Sequence, residues 1–282
     1  MTSDESVADV SRPSWQLTGW SADFGYLVLA EWTKIRSVRS TIWSLIVFII
    51  VSLGFTALFA VLTASTWHEA HNASRNATII ADPVNYFLGT GISLGQLAVC
   101  VLGVLVMTTE YSTGVIRTSL LATPRRVPML AAKTVAFAVL ILVFAEIVTF
   151  GSFFVGSTIL QSHVHTSLSD PGLLRAVIGT GLALSVLGVF SIAIGALIRH
   201  TPGAIATVIG VVLILPILTG LLPGSAGKHI NAYLPEQAGG LMTQAHRHAG
   251  DLLSAWQGFG VFCLWTALLL AAAASLLSRR DA

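Results

Sequence analysis

Six apolar stretches, separated by short polar segments, dominate the hydrophobic pattern of the chain. They cover residues 43–62, 86–107, 134–155, 176–198, 203–222 and 256–277. Each has about 20 mainly apolar residues, which is the length at which an α-helix crosses the hydrocarbon layer with its backbone amides satisfied internally. The pattern therefore predicts an all-α membrane protein with six transmembrane helices.

The composition agrees with a membrane domain and excludes several other classes. Of the 282 residues, 54% are hydrophobic and only 10% are charged, whereas about 25% are charged in typical soluble domains. The formal net charge is only +2, and no basic patch with interleaved aromatic residues is present, so nucleic-acid binding is not expected. We predict a polar cytoplasmic tail over 1–23 and one transmembrane domain over 24–282.

The distribution of Lys and Arg predicts the orientation in the membrane, because positive residues near helix ends stay on the cytoplasmic side. With both termini inside, the inner segments hold eleven of the 15 Lys and Arg residues. The outer segments hold only Arg75, Arg175, Lys228 and Arg247. We therefore expect both termini in the cytoplasm. The Ala-, Gly-, Val- and Leu-rich composition with few lysines is typical of a bacterial protein, so the expected location is the bacterial cytoplasmic membrane.

The segment 24–40, before the first span, has the pattern of an amphipathic helix lying in the membrane interface. One broad face carries Phe24, Leu27, Val28, Trp32, Ile35 and Val38. Glu31 interrupts this face, so it either pairs with Lys34 one turn later or contacts a protein partner. An ordinary lead-in to the first span remains the alternative interpretation.

The inner segment 108–133 has more local order than a simple tether requires. Ser112 or Thr113 can cap a short helix that Thr123-Pro124 ends. Apolar residues of this helix lie on one side, and positive residues surround it: Ile116, Leu120 and Leu121 on the apolar side, and Arg117, Arg125, Arg126 and Lys133 around it. Such a helix can dock in a groove of another protein. An incidental helical turn in a positively charged inner loop fits the same residues.

Two strings in the sequence carry a family resemblance. EYSTGVIRTSLLATPRR, from Glu110 to Arg126 and followed by Lys133, resembles the first cytoplasmic loop of the type-2 ABC exporter permeases. AEWTKIRS, from Ala30 to Ser37, resembles their elbow helix. The likeness extends over the whole chain, with an elbow, six spans, and a long outer segment before the last span.

The resemblance implies a permease subunit that exports a hydrophobic or amphipathic compound, such as a drug, antibiotic, peptide or lipid. The loop helix would be a coupling helix resting on a separate ABC ATPase subunit. Two copies of that ATPase would serve two permease subunits, identical or related, surrounded by membrane lipid. The residues that the resemblance assigns to ATPase coupling are Glu31, Glu110, Tyr111, Ile116, Arg117, Leu120, Leu121, Arg125 and Arg126.

The chain has no nucleotide-binding loop of its own. That loop requires Gly, four residues, Gly, Lys and then Ser or Thr, whereas the one Lys preceded by Gly, Lys228, is followed by His229. ATP and Mg²⁺ are therefore expected on the partner ATPase, with no cofactor on this chain, and the chain is not expected to be an enzyme. The pairs His163/His165 and His246/His248 lack further ligands at metal-site spacing, so we predict no metal site.

Glu146, near the middle of the third span, and Gln96, in the second span, are candidates for the translocation path. A carboxyl group at this depth is costly unless it meets protein or water. Glu146 either serves transport, which leaves an ion-coupled secondary transporter as the alternative function, or hydrogen-bonds a neighbouring helix, for which Gln96 is the nearest polar candidate. Within the outer segment 223–255, residues 232–243 fit a re-entrant element over the path or a solvent loop.

Small residues recur within the spans. Gly91 and Gly95 form one pair, and Gly181, Gly188 and Gly195 repeat every seven residues. Such stripes let helix backbones approach closely, either within one subunit or across a dimer. Pro216 predicts a kink in the fifth span.

Overall fold

The computed structural model describes residues 20–113, 126–248 and 250–279, and regular structure within these ranges is helical, without a β-strand. The α-helices are α1 (Trp20–Ser37), α2 (Arg39–Ser65), α3 (Ala73–Ala81), α4 (Pro83–Ser112), α5 (Arg126–Leu160), α6 (Leu173–Ile198), α7 (Thr201–Ile209), α8 (Leu215–Gly220), α9 (Gly224–Ala232), α10 (Pro235–Gly240) and α11 (Ala255–Arg279). The prediction of an all-α fold is confirmed.

Six helical segments are long and apolar enough to cross a membrane: α2, α4, α5, α6, the segment from α7 to α8, and α11. Each coincides with one of the six predicted spans, which confirms the multi-pass pattern. The observed helices are longer than most predicted spans; α5, for example, begins seven or more residues before position 134. The start of α5 packs against α1, and the end of α4 meets α1 through the ion pair of Glu110 with Lys34.

Helix α6 forms the centre of the bundle. Within its most apolar window 72% of the residues are buried, against 22–50% for the other spans. It packs against α4, α5 and α11, while α2 packs against α4 and α5 on the other side. The core is therefore built within one chain.

The glycine stripes form these helix contacts. A Cβ added to Gly103 in α4 would lie 2.7 Å from the Gly188 carbonyl oxygen in α6, so the two backbones nearly touch there. Gly195 faces Met107 of α4, and Gly91 faces α2. The stripes therefore pack within one subunit, which was one of the two arrangements expected for them.

The regular α-helix of the fifth span is interrupted before Pro216, the position at which a kink was predicted. Between α7 and α8 the chain forms one π-helical turn over Gly210–Ile214. Proline has no amide hydrogen to donate to the preceding turn and its ring crowds that turn, so the helical ladder loses a bond and widens. The π turn before Pro216 thus has a local cause in the sequence.

Helix α1 is separate from α2, with a break at Val38 between them. Val28, Trp32 and Ile35 pack on the hydrophobic core, whereas Val38 is exposed. Helix α2 begins at Arg39, four residues before the predicted first span. The predicted elbow segment, 24–40, thus covers most of α1 and the first two residues of α2.

Candidate functional site

Four charged residues from three helices meet at one end of the bundle, and we refer to Glu31, Lys34, Glu110 and Lys133 as the charge cluster. Lys133 Nζ lies 2.6 Å from Glu31 Oε2 and 2.7 Å from Glu110 Oε1. Lys34 Nζ lies 2.7 Å from Glu31 Oε1 and 3.1 Å from Glu110 Oε1. Each ammonium group therefore binds both carboxylates, and the formal charges of the cluster cancel.

The charge cluster is largely shielded from solvent. Lys133 is 1% exposed, Glu31 5% and Glu110 7%, whereas the Lys34 side chain is 38% exposed. Removing such charges from water costs several kcal/mol per ion, so the cluster persists only because each charge meets a close, opposite partner. Lys133 is the central member because it is the most buried.

The pKa shifts of Glu31 and Lys34 favour their charged forms. Burial alone would raise the pKa of Glu31, but the charges of Lys133 and Lys34 and the hydrogen bonds they donate hold it below its usual value. Burial would likewise lower the pKa of Lys34, yet hydrogen bonds to and charges from Glu31 and Glu110 raise it. Both shifts indicate that the ion pairs outweigh desolvation.

The charge cluster brackets the segment for which a coupling helix was predicted. Glu110 stands in the last turn of α4, shortly before that segment, and Lys133 stands two turns into α5, after it. Lys133 binds Glu31 of α1. Glu110 binds Lys34 of α1 and also Lys133. The end of α4, the start of α5 and α1 are therefore joined where the intervening segment leaves and re-enters the bundle.

A second set of contacts ties the same end of α4 to the fifth span. The Arg199 guanidinium carbon lies 5.0 Å from the centre of the Tyr111 ring, a cation–π geometry. Thr201 donates a 2.9 Å hydrogen bond to Thr108 across the two helices. The end of α4 thus contacts both the turn before the fifth span and the first residue of that span.

The structure brings together some of the residues assigned to ATPase coupling. Glu31 and Glu110 meet in the charge cluster, and Tyr111 lies beside it. The expected pairing of Glu31 with Lys34 is confirmed. The predicted coupling helix, with Ile116, Arg117, Leu120, Leu121 and Arg125, lies outside the described residues, and Arg126 is described only as the first residue of α5.

Sequence reasoning did not place Lys133 in the site, although a signal for it exists. Met129, Leu130, Ala136 and Phe137 are buried, and at helical spacing they share one face of α5 with Lys133. A lysine on a buried face requires a carboxylate partner. Glu31, a carboxylate on the apolar face of α1, was a candidate for that partner.

Glu146 does not form the helix-to-helix hydrogen bond that was one of its expected roles. Its Oε2 atom is buried without a hydrogen-bond partner among the described residues. The carboxylate lies against Gly181 of α6, where a Cβ would come within 2.3 Å of Oε1. Gln96 interacts with Glu236 instead, so the proposed partnership between Gln96 and Glu146 is wrong.

Gln96 and Glu236 line a cavity of about 160 Å³ between α4, α6, α10 and α11. Glu236 comes from the outer segment, on the short helix α10. Glu236 lies within the segment 232–243, which was predicted to be either a re-entrant element or a solvent loop. The helix is broken there, because α9 ends at Ala232 and α10 begins at Pro235. Four residues of the segment are buried: Pro235, Ala238, Gly239 and Met242. The solvent-loop alternative for this element is therefore wrong.

Hydrogen bonds hold the segment after α10 against the start of α4 and α6. Asp82 accepts a 2.9 Å bond from the Ala245 amide, and Thr243 lies 2.7 Å from Asn85 Oδ1. Arg175 donates to the carbonyl oxygens of Gln244 and Ala245 at 2.6 and 3.0 Å. This clamp fixes α10, and with it Glu236, over the cavity.

The two histidine pairs form no metal site in the part of the chain that is described. No group of three or more His, Cys, Asp or Glu side chains is placed to hold an ion there. His163 instead stacks on Trp67, with ring centres 4.7 Å apart.

Comparison with protein-family models and with curated proteins gave no match to this chain.

Proposed function

We propose that this chain is the transmembrane permease subunit of an ATP-driven ABC exporter that moves a hydrophobic or amphipathic compound out of a bacterial cell. The permease would act in the cytoplasmic membrane with both termini inside. Two ATPase subunits, which carry ATP and Mg²⁺, would serve this chain and a second permease subunit of the same or a related kind.

The observation that carries the proposal is the charge cluster, taken with the likeness of segment 110–126 to a coupling loop. Lys133, after the loop, binds Glu31 of α1. Glu110, before the loop, binds Lys34 of α1 and also Lys133. A push on the loop would therefore displace α1, α4 and α5 together rather than bend one connection. This is the mechanical property that a coupling element needs.

The contacts beyond the charge cluster extend this path. Thr108 contacts the first residue of the fifth span, and Tyr111 contacts Arg199 in the turn just before it. The π turn lies farther along the fifth span. π turns inside helices occur frequently at functional sites. We propose that ATP-dependent movement of the loop reaches the fifth span through these contacts.

Affinity purification of the chain from its native membrane tests the proposal. We expect an ATPase with a phosphate-binding loop to copurify, and Leu120→Asp or Arg117→Glu to remove it, because a docking surface does not tolerate a misplaced charge. Ser225→Asp, in the outer segment, is the control and should retain the ATPase. Retention by all three variants at wild-type levels would contradict the coupling role of the loop.

An ion-coupled secondary transporter is the second candidate, and the unpartnered Oε2 atom of Glu146 favours it. Intramembrane carboxyl groups commonly serve as proton sites. Under this alternative, transport would collapse when a protonophore is added even with ATP present. The ABC proposal predicts that ATP-driven transport survives the same treatment.

A further inference from the structure

The cavity between α4, α6, α10 and α11 has apolar walls and a polar patch at one side. Ile92, Leu184, Leu187 and Phe262 form walls, and the polar patch includes Glu236 and Gln96. Ligand sites in proteins typically combine apolar walls with a few placed polar groups. This combination matches the two parts of an amphipathic molecule.

The hydroxyl groups around the cavity are placed to accept rather than donate hydrogen bonds. Thr180 donates its proton to the Ala176 carbonyl oxygen, and Ser93 donates to Thr90. Thr243 donates to either Asn85 or Gly240. A hydroxyl has one proton and two lone pairs, so these groups can offer only lone pairs to a ligand.

Glu236 adds a carboxylate that no basic side chain neutralises. It takes part in none of the ion pairs among the described residues, and the Gln96 side chain is its polar neighbour. Burial raises the pKa of Glu236 to about 7, although the interaction with Gln96 opposes the rise. A positive charge brought into the cavity would stabilise the ionised carboxylate.

From the carboxylate, the accepting hydroxyl groups and the apolar walls, we infer that this cavity binds the ammonium head of an amphipathic amine. The ammonium group would donate its hydrogens to Glu236 and to neighbouring hydroxyl oxygens, and the attached hydrocarbon would lie against α4, α6 and Phe262. The inference rests on the proposed export function and names the chemistry of its substrate. An anionic compound would be repelled by the same carboxylate.

Equilibrium dialysis with a matched set of probes tests this inference. The full chain in lipid nanodiscs is dialysed against 4-phenylbutylamine, 4-phenylbutan-1-ol or 4-phenylbutyrate, with empty nanodiscs correcting for lipid partitioning. We expect saturable binding of the amine at least about tenfold tighter than of the alcohol, a difference of about 1.4 kcal/mol, and no saturable binding of the acid. Equal affinities for amine and alcohol, or no saturable amine binding, would overturn the inference.

Two variants locate the binding. Glu236→Gln should weaken amine binding about tenfold and leave alcohol binding unchanged, whereas Glu69→Gln, at an exposed carboxylate outside the cavity lining, should bind the amine like the wild type. In a cysteine-free background, Ser93→Cys should be protected from a thiol reagent by the amine. If Glu236→Gln does not fold, protection of Ser93→Cys by the amine still tests whether the amine binds in this cavity. A lack of protection would refute binding in the cavity.

The outcome is distinguishable from failure of the proposed function, because binding to the nanodisc protein requires no ATPase. Amine binding without a copurifying ATPase would contradict the export proposal alone. Copurification without amine selectivity would contradict this inference alone.

Discussion

Replacing Lys133 with methionine should destabilise the protein by about 3–5 kcal/mol, the usual cost of removing one partner from a buried ion pair. Lys133 is 1% exposed, and its Nζ contacts Glu31 and Glu110 at 2.6 and 2.7 Å. Without it, two buried carboxylates share only Lys34, so the charge cluster carries an uncompensated negative charge. Methionine retains most of the side-chain volume of lysine, so the decrease in stability measures the loss of the charge rather than the creation of a cavity.

Reversible unfolding by sodium dodecyl sulfate in mixed micelles, followed by tryptophan fluorescence, measures this loss. Lys228→Met is the matched control, since Lys228 lies on the exposed side of α9 and forms none of the described ion pairs; it should change stability by less than about 0.5 kcal/mol. Adding Glu110→Gln to Lys133→Met should recover stability, because it removes one of the stranded charges, with a coupling energy above about 1 kcal/mol.

A Lys133→Met protein as stable as the Lys228→Met control would refute this account of the charge cluster. Strict additivity of the Lys133 and Glu110 substitutions would refute it as well, because residues in one ion-pair network should couple.

The charge cluster also predicts a pH dependence. The pKa of Glu31 is held below its usual 4.5 in the folded protein, so the stability from its charge is fully present above about pH 4.5 and is lost as the pH falls through the lowered pKa. The difference in stability between wild type and Glu31→Gln should therefore be constant from pH 7 to 5 and shrink below 4.5. A difference that stays constant down to pH 3 would contradict the assigned pKa shift.

Three further predictions concern orientation, packing and the intramembrane carboxyl group. In intact cells and a cysteine-free background, Ser74→Cys should react with an impermeant thiol reagent and Thr118→Cys should not; labelling of the Thr118 variant would overturn the orientation. Gly103→Ala should cost about 1–3 kcal/mol in unfolding assays because its Cβ meets the α6 backbone, whereas Gly54→Ala, with nothing within 4 Å, should cost nothing; equal effects would contradict the close approach of α4 and α6. Glu146→Gln should retain ATP-driven transport into inverted vesicles with a protonophore present, and loss of transport would favour the ion-coupled alternative.

The parts of the fold that could be predicted from the sequence are those with a local cause. Six apolar runs specify six spans because both requirements of a membrane helix are local. The helix must be long enough to cross the hydrocarbon layer, and its backbone hydrogen bonds form within the helix itself. The interruption before Pro216 is equally local. Glu31 was visible as a charge on an apolar face, which pointed correctly to an ion pair with Lys34 one turn away.

The remaining contacts depend on distant parts of the chain. Glu31 and Lys133 are 102 residues apart, and Asp82 and Ala245 are 163 apart, so no periodicity relates them. Gln96 was assigned to Glu146 by depth alone, whereas the fold brings Glu236 to it on a short helix between two spans. Depth along a helix predicts the level of a side chain in the membrane but leaves its partner undetermined.

Photo-crosslinking at the predicted coupling helix tests the central claim most directly. A photoreactive amino acid at position 120, in place of Leu120, is irradiated in intact cells, with position 225 in place of Ser225 as the control. The account predicts a crosslink from position 120 to an ATPase subunit that contains a phosphate-binding loop, and none from position 225 to that subunit. Crosslinks from position 120 to lipid alone, or to the ATPase from position 225, would contradict it.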